Sequence, residues 1–286
     1  MKVSGKLPYN KLGECDRQIV ISTYYDKAHL MFDEISDMLN ISERAISRVL
    51  KDAGINTKRL NRYTLNESFF ENIDNEQKAY ILGLLYADGY VGDEHFNNIV
   101  LGLNDREILE QIAILLDFTG TIRKSKKGGF KNSKEGYVLN FSSEIMANSL
   151  RNIGLYPNKS LTLNNIPNIP EVLLRHFIRG YFDGDGSIIL SKHSSYHKVS
   201  GATKKYEYPA YTFMILGTKE FIEKIVIIMN LSHYIITNTK TEEIKCLRVT
   251  AKCDAQYLLN YLYHNSTIYL ERKYSKWLKV LSAFMK

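Results

Sequence analysis

Apolar positions along the chain fall into two regimes. Through the first sixty or so residues they recur at helical spacing. Phe32 to Leu39 predicts a helix with Ile35, Met38 and Leu39 on one face; Asn40 and Ile41 break it, and Ser42 stands where an N-cap is needed. The next segment turns Ala45, Ile46, Val49 and Leu50 inward and leaves Arg44, Ser47, Arg48 and Lys51 wet, with Gly54 as the stop. Helix, tight turn and a second helix with Arg44, Ser47 and Arg48 outward is the helix-turn-helix pattern, which makes those three side chains DNA contacts. An αα-hairpin used only for packing is the bland alternative. Residues 56–63 then carry Lys58, Arg59 and Arg62 with few apolar neighbours, and read as a basic linker suited to tracking phosphates.

Near Thr64 the pattern changes. A helix from Asn75 to Asp88 precedes a strand-like run from Asn98 to Leu103. Asp105 is placed to cap a helix with Ile108, Ile112, Leu115 and Leu116 buried. Gly120 to Lys126 and Gly136 to Ser142 alternate as a hairpin around a basic loop, and Ser143 opens a helix ending near Gly154. The order then repeats: helix Pro170 to Asp185, strands near Ser187 to Lys192 and Ala210 to Leu216, and a helix from Thr218 to Met229 with Phe221, Ile225 and Ile228 inward. Strands near His233 to Thr239 and Ile244 to Thr250 lead to closing helices from about Asp254. One αββαββα unit is thus written twice, with Pro167 and Pro170 at the joint. The predicted class is α+β: two pseudo-symmetric repeats, 64–169 and 170–286, behind a small all-α domain and linker, 1–63.

Each repeat opens on the same unusual helix. The first copy is Ile81-Leu82-Gly83-Leu84-Leu85-Tyr86-Ala87-Asp88-Gly89, and the second Ile178-Arg179-Gly180-Tyr181-Phe182-Asp183-Gly184-Asp185-Gly186. An acid at the end of an apolar helix is costly unless it is paired or holds a cation. Two such acids a small domain's length apart suggest a task performed twice, such as cutting both strands of a duplex. Both nonamers resemble the signature helix of the LAGLIDADG homing endonucleases, and the doubled element order resembles their single-chain form across Thr64 to Lys286. The resemblance implies that the two helices pack at a pseudo-twofold axis through Gly83 and Gly180, and that Asp88 and Asp185 are the essential acids. It implies one metal site at each acid, with the carbonyls of Ala87 and Gly184 as further ligands and Mg²⁺ as the ion, Mn²⁺ being able to substitute. Gly154-Leu155-Tyr156-Pro157-Asn158-Lys159-Ser160 resembles the segment that supplies a basic residue in related enzymes, which singles out Lys159. The matching place in the second half holds Lys273, with Arg272 in reserve. The sequence departs from the pattern at the sixth position, Tyr86 against Asp183, and at the second, where Arg179 is expected to snorkel or pair locally.

The resemblance further implies two four-stranded sheets forming a β-saddle over the major groove of double-stranded DNA. Candidate readers on the strands and loops are Arg123, Lys124, Lys126, Asn140, Lys192, His193, Thr212, Thr237, Asn238 and Arg248; pleat geometry turns about half of any such set the wrong way. Charge agrees with this picture. The net charge is +7, and its basic residues crowd two regions, around Arg123 to Lys134 and around Lys192 to Lys205, both expected to be loops.

Three cysteines without C-x-x-C spacing argue against a disulfide framework and a structural zinc, and the seven histidines show no zinc-hydrolase spacing. The N-terminus shows no secretory h-region and no apolar run is long enough to span a bilayer, so a cytoplasmic location is expected, nucleoid-associated in a bacterium or phage. The expected activity is homing double-strand cleavage of a long asymmetric DNA site by a monomer acting as a pseudo-dimer. The alternatives are a transcription regulator that kept the scaffold without catalysis, and an RNA maturase.

Overall fold

The computed structural model describes residues 5–27, 32–55, 63–125, 136–199 and 201–284. The chain divides into two compact units, Met1–Thr64 and Leu65–Lys286. In the smaller, α1 (Glu14–Asp26), α2 (Phe32–Leu39) and α3 (Glu43–Asp52) close on Val20, Ile35, Ile41, Ala45, Ile46, Val49 and Leu50. Asn40, at φ +51, turns the chain between α2 and α3, and the Ser42 side chain accepts from the Ala45 amide to start α3. Met38, expected inward, is 52% exposed; the buried place on α2 goes to Ser36, whose hydroxyl accepts from Lys6 Nζ at 2.8 Å.

The larger unit repeats one order. Its first half runs α4 (Glu76–Asp88), β1 (Gly89–Val91), β2 (Asn98–Leu103), α5 (Arg106–Leu115), β3 (Arg123–Lys124), β4 (Tyr137–Ser142) and α6 (Glu144–Ile153). Its second half runs α7 (Glu171–Asp185), β5 (Gly186–Val199), β6 (Ala202–Thr218), α8 (Lys219–Ile228), β7 (Ile235–Asn238), β8 (Ile244–Val249) and α9 (Lys252–Tyr263), followed by α10 (Glu271–Phe284). The two antiparallel sheets have matching strand orders, β1-β2-β4-β3 and β5-β6-β8-β7. This is the αββαββα duplication in three dimensions. Ile99, Leu101, Leu139 and Phe141 line one core, and Phe213, Ile215, Leu247 and Val249 the other.

Three local expectations are corrected. Leu115 and Ile228 are only half-buried; Ala113, Ile222 and Val226 complete those helix faces instead. Asp105 precedes α5 without capping it, because its carboxylate receives Arg272 Nε at 2.9 Å. The basic stretch around Lys192 to Lys205 is not a loop. β5 and β6 pair through 14 rungs, from Gly186 opposite Ile215 to Val199 opposite Ala202, and only the rungs from Phe213 onward also pair with β8. The rest is a two-stranded ribbon. Its counterpart β1–β2 has three rungs.

Candidate active site

Two helices with a glycine notch meet at the centre of the larger unit. Gly83 and Gly180 allow backbone contact: a Cβ at Gly83 would overlap the Phe177 carbonyl and sit 2.7 Å from the Tyr181 nitrogen, and one at Gly180 would overlap the Tyr80 carbonyl. The contact continues to the helix ends, where a Cβ at Gly184 would sit 2.8 Å from Asp88 Oδ2. Asp88 therefore ends against the last turn of α7, and the two motif acids share one floor.

Asp88 is exposed at the end of α4, with Lys273, Lys159 and Arg272 near enough to act on its charge; Asp185 is half-buried. Burial and the neighbouring Asp88 carboxylate push Asp185 up to about 6, against the pull of Lys159, Lys273 and the Tyr181 hydroxyl. Burial also raises Asp88, opposed by Lys273, Lys159 and Arg272. Lys159 and Lys273, residue types that are usually exposed, retain only 4% and 2% of their surface. Burial lowers each to about 8.

The ammonium groups sit on backbone carbonyls at and just past the two helix ends, one of which, Phe182 O, also accepts the Gly186 amide. Lys159 Nζ donates to the Gly89 carbonyl. Lys273 Nζ donates to Phe182 O, to Asp183 O at 2.7 Å and to Gly186 O at 2.7 Å, which uses all three of its protons. Each lysine is thus bonded to the helix end of its own half. Both motif acids nevertheless act on both lysines: Asp185 and Asp88 oppose the lowering of Lys159, and Asp183, Asp88 and Asp185 oppose that of Lys273. The bonds say where each ammonium is held, and the charges show that all four groups form one cluster. Arg272, occupied with Asp105, lies at its edge.

The donor set suits a hard divalent cation. Two crowded carboxylates above their ordinary pKa carry a repulsion that a cation would relieve, and Ala87 and Gly184 fall in the last turns of α4 and α7, whose carbonyls lack helical partners. All of these ligands are oxygens.

A family model described as "LAGLIDADG-like domain" matches residues 75–154. That stretch, from the start of α4 to the end of α6, is therefore similar to a LAGLIDADG-like domain. The chain shares its fold with the I-LtrWI LAGLIDADG homing endonuclease bound to target DNA: TM-score 0.51 at 16% identity, over 77% of this chain and 91% of that one. I-SmaMI bound to uncleaved DNA in the presence of calcium ions gives TM-score 0.51 at 12% identity, over 74% and 91%. An uncharacterized protein of Methanocaldococcus jannaschii, MJ0314, is 28% identical over 168 residues, 55% of this chain and 54% of its own; the match spans about half the length of that relative.

The two sheets sort the other candidates by pleat. Taking the core face from Ile99, Leu101, Leu139, Phe213 and Leu247, the register turns Arg123, Asn140, His193, Thr212, Thr237 and Arg248 to the opposite, open face. Lys124 and Asn238 fall on the core-side parity of their strands, and Lys192 takes that parity within the ribbon, where neither face is buried. Lys192 instead lies 3.6 Å from Glu207, and Asn238 accepts from Lys245 Nζ at 3.1 Å. Arg44, Ser47 and Arg48 are exposed on α3, with the Arg48 guanidinium 4.3 Å from the centre of the Tyr9 ring. Lys58, Arg59, Arg62 and Lys126 lie outside the described residues. No helix among the described residues is long and apolar enough to cross a membrane.

Several participants escaped the sequence reading. Arg179 does not snorkel. It is fully buried, donating to Glu76 Oε1 at 2.6 Å, His176 Nδ1 at 2.8 Å, Leu262 O at 3.0 Å and Ile268 O at 3.1 Å. Asp183 is also fully buried and accepts from the Tyr263 hydroxyl at 2.6 Å, the Tyr80 hydroxyl at 2.8 Å and the Leu270 amide at 2.8 Å. A charge in mid-helix signalled that partners were needed, but apart from His176 those partners are supplied by residues far away in the chain. On the surface, His233, Cys253 and Asp254 bring donor atoms within 4.8 Å of one another, a grouping that no short-range spacing announced.

Proposed function

We propose that the protein is a site-specific endonuclease that hydrolyses one phosphodiester in each strand of a DNA duplex, using a divalent cation, Mg²⁺ by preference. The observation that carries this reading is the merger of Asp88 and Asp185 into one floor, open to solvent on one side and flanked by two buried lysines. Asp88, Asp185 and the carbonyls of Ala87 and Gly184 would hold the cation. It supplies charge neutralisation at the phosphate and acidifies water.

The protein groups do the rest. With pKa values near 8, Lys159 and Lys273 are protonated at neutral pH and set two positive charges beside the scissile phosphates. Lys273, its protons all engaged by carbonyls, acts through charge alone, whereas Lys159 has donors left to orient a water or a phosphate oxygen. In this reading the open sheet faces form the saddle, with Arg123, Asn140, His193, Thr212, Thr237 and Arg248 toward the major groove. The smaller unit is a helix-turn-helix that lengthens the footprint through Arg44, Ser47 and Arg48. Both active sites lie in one chain, so a monomer can serve an asymmetric target.

The test is selection of cleaved duplexes from a randomised DNA library, with Mg²⁺ or Mn²⁺ against EDTA. Asp88→Asn and Asp185→Asn are expected to abolish cleavage and leave binding of the selected site within a few-fold. A wild-type chain that binds a specific duplex and cuts none in either metal would overturn the nuclease reading in favour of a regulator.

A further inference from the structure

The two motif helices contact each other through a symmetric pair of junctions with different chemistry. The residue just before one motif meets the sixth residue of the other. At one junction Tyr80 donates its hydroxyl to Asp183 at 2.8 Å; at the other, Phe177 stacks edge-on against Tyr86 with centroids 4.9 Å apart. Both sixth residues then reach out to the backbone of the segment that carries their own half's lysine. Asp183 accepts from the Leu270 amide, three residues before Lys273. The Tyr86 hydroxyl donates to the Ile153 carbonyl at 2.9 Å, six residues before Lys159.

The second half is tied more firmly. Leu270 lies at the entrance to α10, and the carbonyl of Leu270 accepts from the Lys273 amide at 2.9 Å, so the Asp183 carboxylate grips the first turn from which Lys273 projects. Tyr263, at the end of α9, holds the same carboxylate from the other side. A buried carboxylate with three donors is geometrically fixed, because losing any one leaves unsatisfied charge. In the first half one neutral hydroxyl does the anchoring.

Resting on the nuclease reading above, we propose that the sixth motif positions, Asp183 and Tyr86, are positioning residues that each seat one lysine, Lys273 and Lys159 respectively, and so govern cleavage of one strand each. The departure from the motif at Tyr86 is then a second solution to the same task. Because the two solutions differ, the two strands can be cut at different rates.

The experiment uses the full chain at saturating enzyme on a duplex end-labelled on both strands, so that each strand's single-turnover rate is read apart from binding. Lys273→Met and Lys159→Met are expected to slow opposite strands. Asp183→Asn is expected to reproduce the bias of Lys273→Met, slowing one strand at least tenfold and the other less than threefold. Tyr86→Phe, which keeps the ring and removes only the hydroxyl, is expected to show the bias of Lys159→Met. Tyr263→Phe takes one donor from Asp183 and gives the Asp183→Asn bias in weaker form, which covers the case in which Asp183→Asn folds poorly. Equal slowing of both strands, a bias matching the other lysine, or no bias in the lysine variants would overturn the proposal. Amide exchange at Leu270 decides the anchoring separately: it is expected to accelerate at least tenfold in Asp183→Asn with the Ile153 to Lys159 segment unchanged, and unaltered exchange overturns it. Failure of the wild type to cut any duplex would sink the functional reading, and the exchange result would still stand or fall alone.

Discussion

Gly83→Ala places a methyl group where no space exists. The added carbon would meet backbone atoms of α7 at Phe177 and Tyr181, and it would lie 3.0 Å from Gly180 Cα. Side chains can rotate away from such a clash; helix backbones cannot. Relief requires the two helices to separate, which loosens the packing around Tyr80, Phe177 and Tyr181. Overpacking of this kind costs about 3 kcal/mol, the upper end of its usual range. Alanine's better helix propensity returns about 1 kcal/mol. The remaining loss, about 2 kcal/mol, corresponds to roughly 4–8 °C in Tm for a unit of this size. Differential scanning calorimetry of the full chain measures it. The control is Gly102→Ala, whose Cβ would find its nearest neighbours at 3.9 Å and should move Tm by less than about 2 °C, the effect of a small surface change. Equal Tm for Gly83→Ala and wild type would refute the claim of direct backbone contact. Activity should fall further than stability predicts, since spreading the helices separates Asp88 from Asp185.

The remaining predictions concern charge. Asp185→Asn should stabilise the protein at pH 7.5 by about 1–2 kcal/mol, since burial and the Asp88 carboxylate hold Asp185 up at about 6 and partial solvent access discounts the cost. Because the folded value, about 6, lies above the ordinary 3.8, the wild-type penalty is full above pH 6 and fades toward pH 4; urea titrations at several pH values should show the gap closing, and Mg²⁺ should raise the Tm of wild type alone. His176 has the opposite sign. Burial and Arg179 lower it to about 4 from 6.5, so its contribution is present above pH 6.5 and is lost as pH falls toward 4; His176→Gln should flatten that loss in the same titration. Arg179→Lys cannot reproduce bonds to Glu76, His176, Leu262 and Ile268 at once, and should cost about 3 kcal/mol or more by urea denaturation. The double variant Arg44→Ala, Arg48→Ala should weaken duplex binding and lower the slope of log K against log salt by roughly 2, without moving the cleavage position in gel assays.

The repeat was legible because its signal is local. Glycines at the notch, an acid closing each apolar helix, and alternation in β2 and β4 are all readable within a dozen residues. What stayed hidden depends on distance or on the lack of a core. The ends of β5 and β6 could not be read because Ser191 to Val199 and Ala202 to Tyr208 have no buried face, and alternation arises only where one face is dry. The burial of Lys159 and Lys273 ran against their residue type, and only the helix-end carbonyls beneath them explain it. The partners of Asp183, namely Tyr80 and Tyr263, come from the opposite repeat and from the far end of the same one. No window of sequence holds all three.

The β5–β6 ribbon exposes two unpaired strand edges, a form that invites another chain to zip on and that is marginally stable in water when it stands alone. Lys192, Lys198, Lys204 and Lys205 line those strands, two of them paired with Glu207, and Pro209 has no amide to offer a strand that would pair there. Protection of this arm therefore rests in part on a handful of ammonium groups. Neutralising them, by acetylation or by strongly alkaline buffer, should turn a dispersed protein into one that self-associates through this arm.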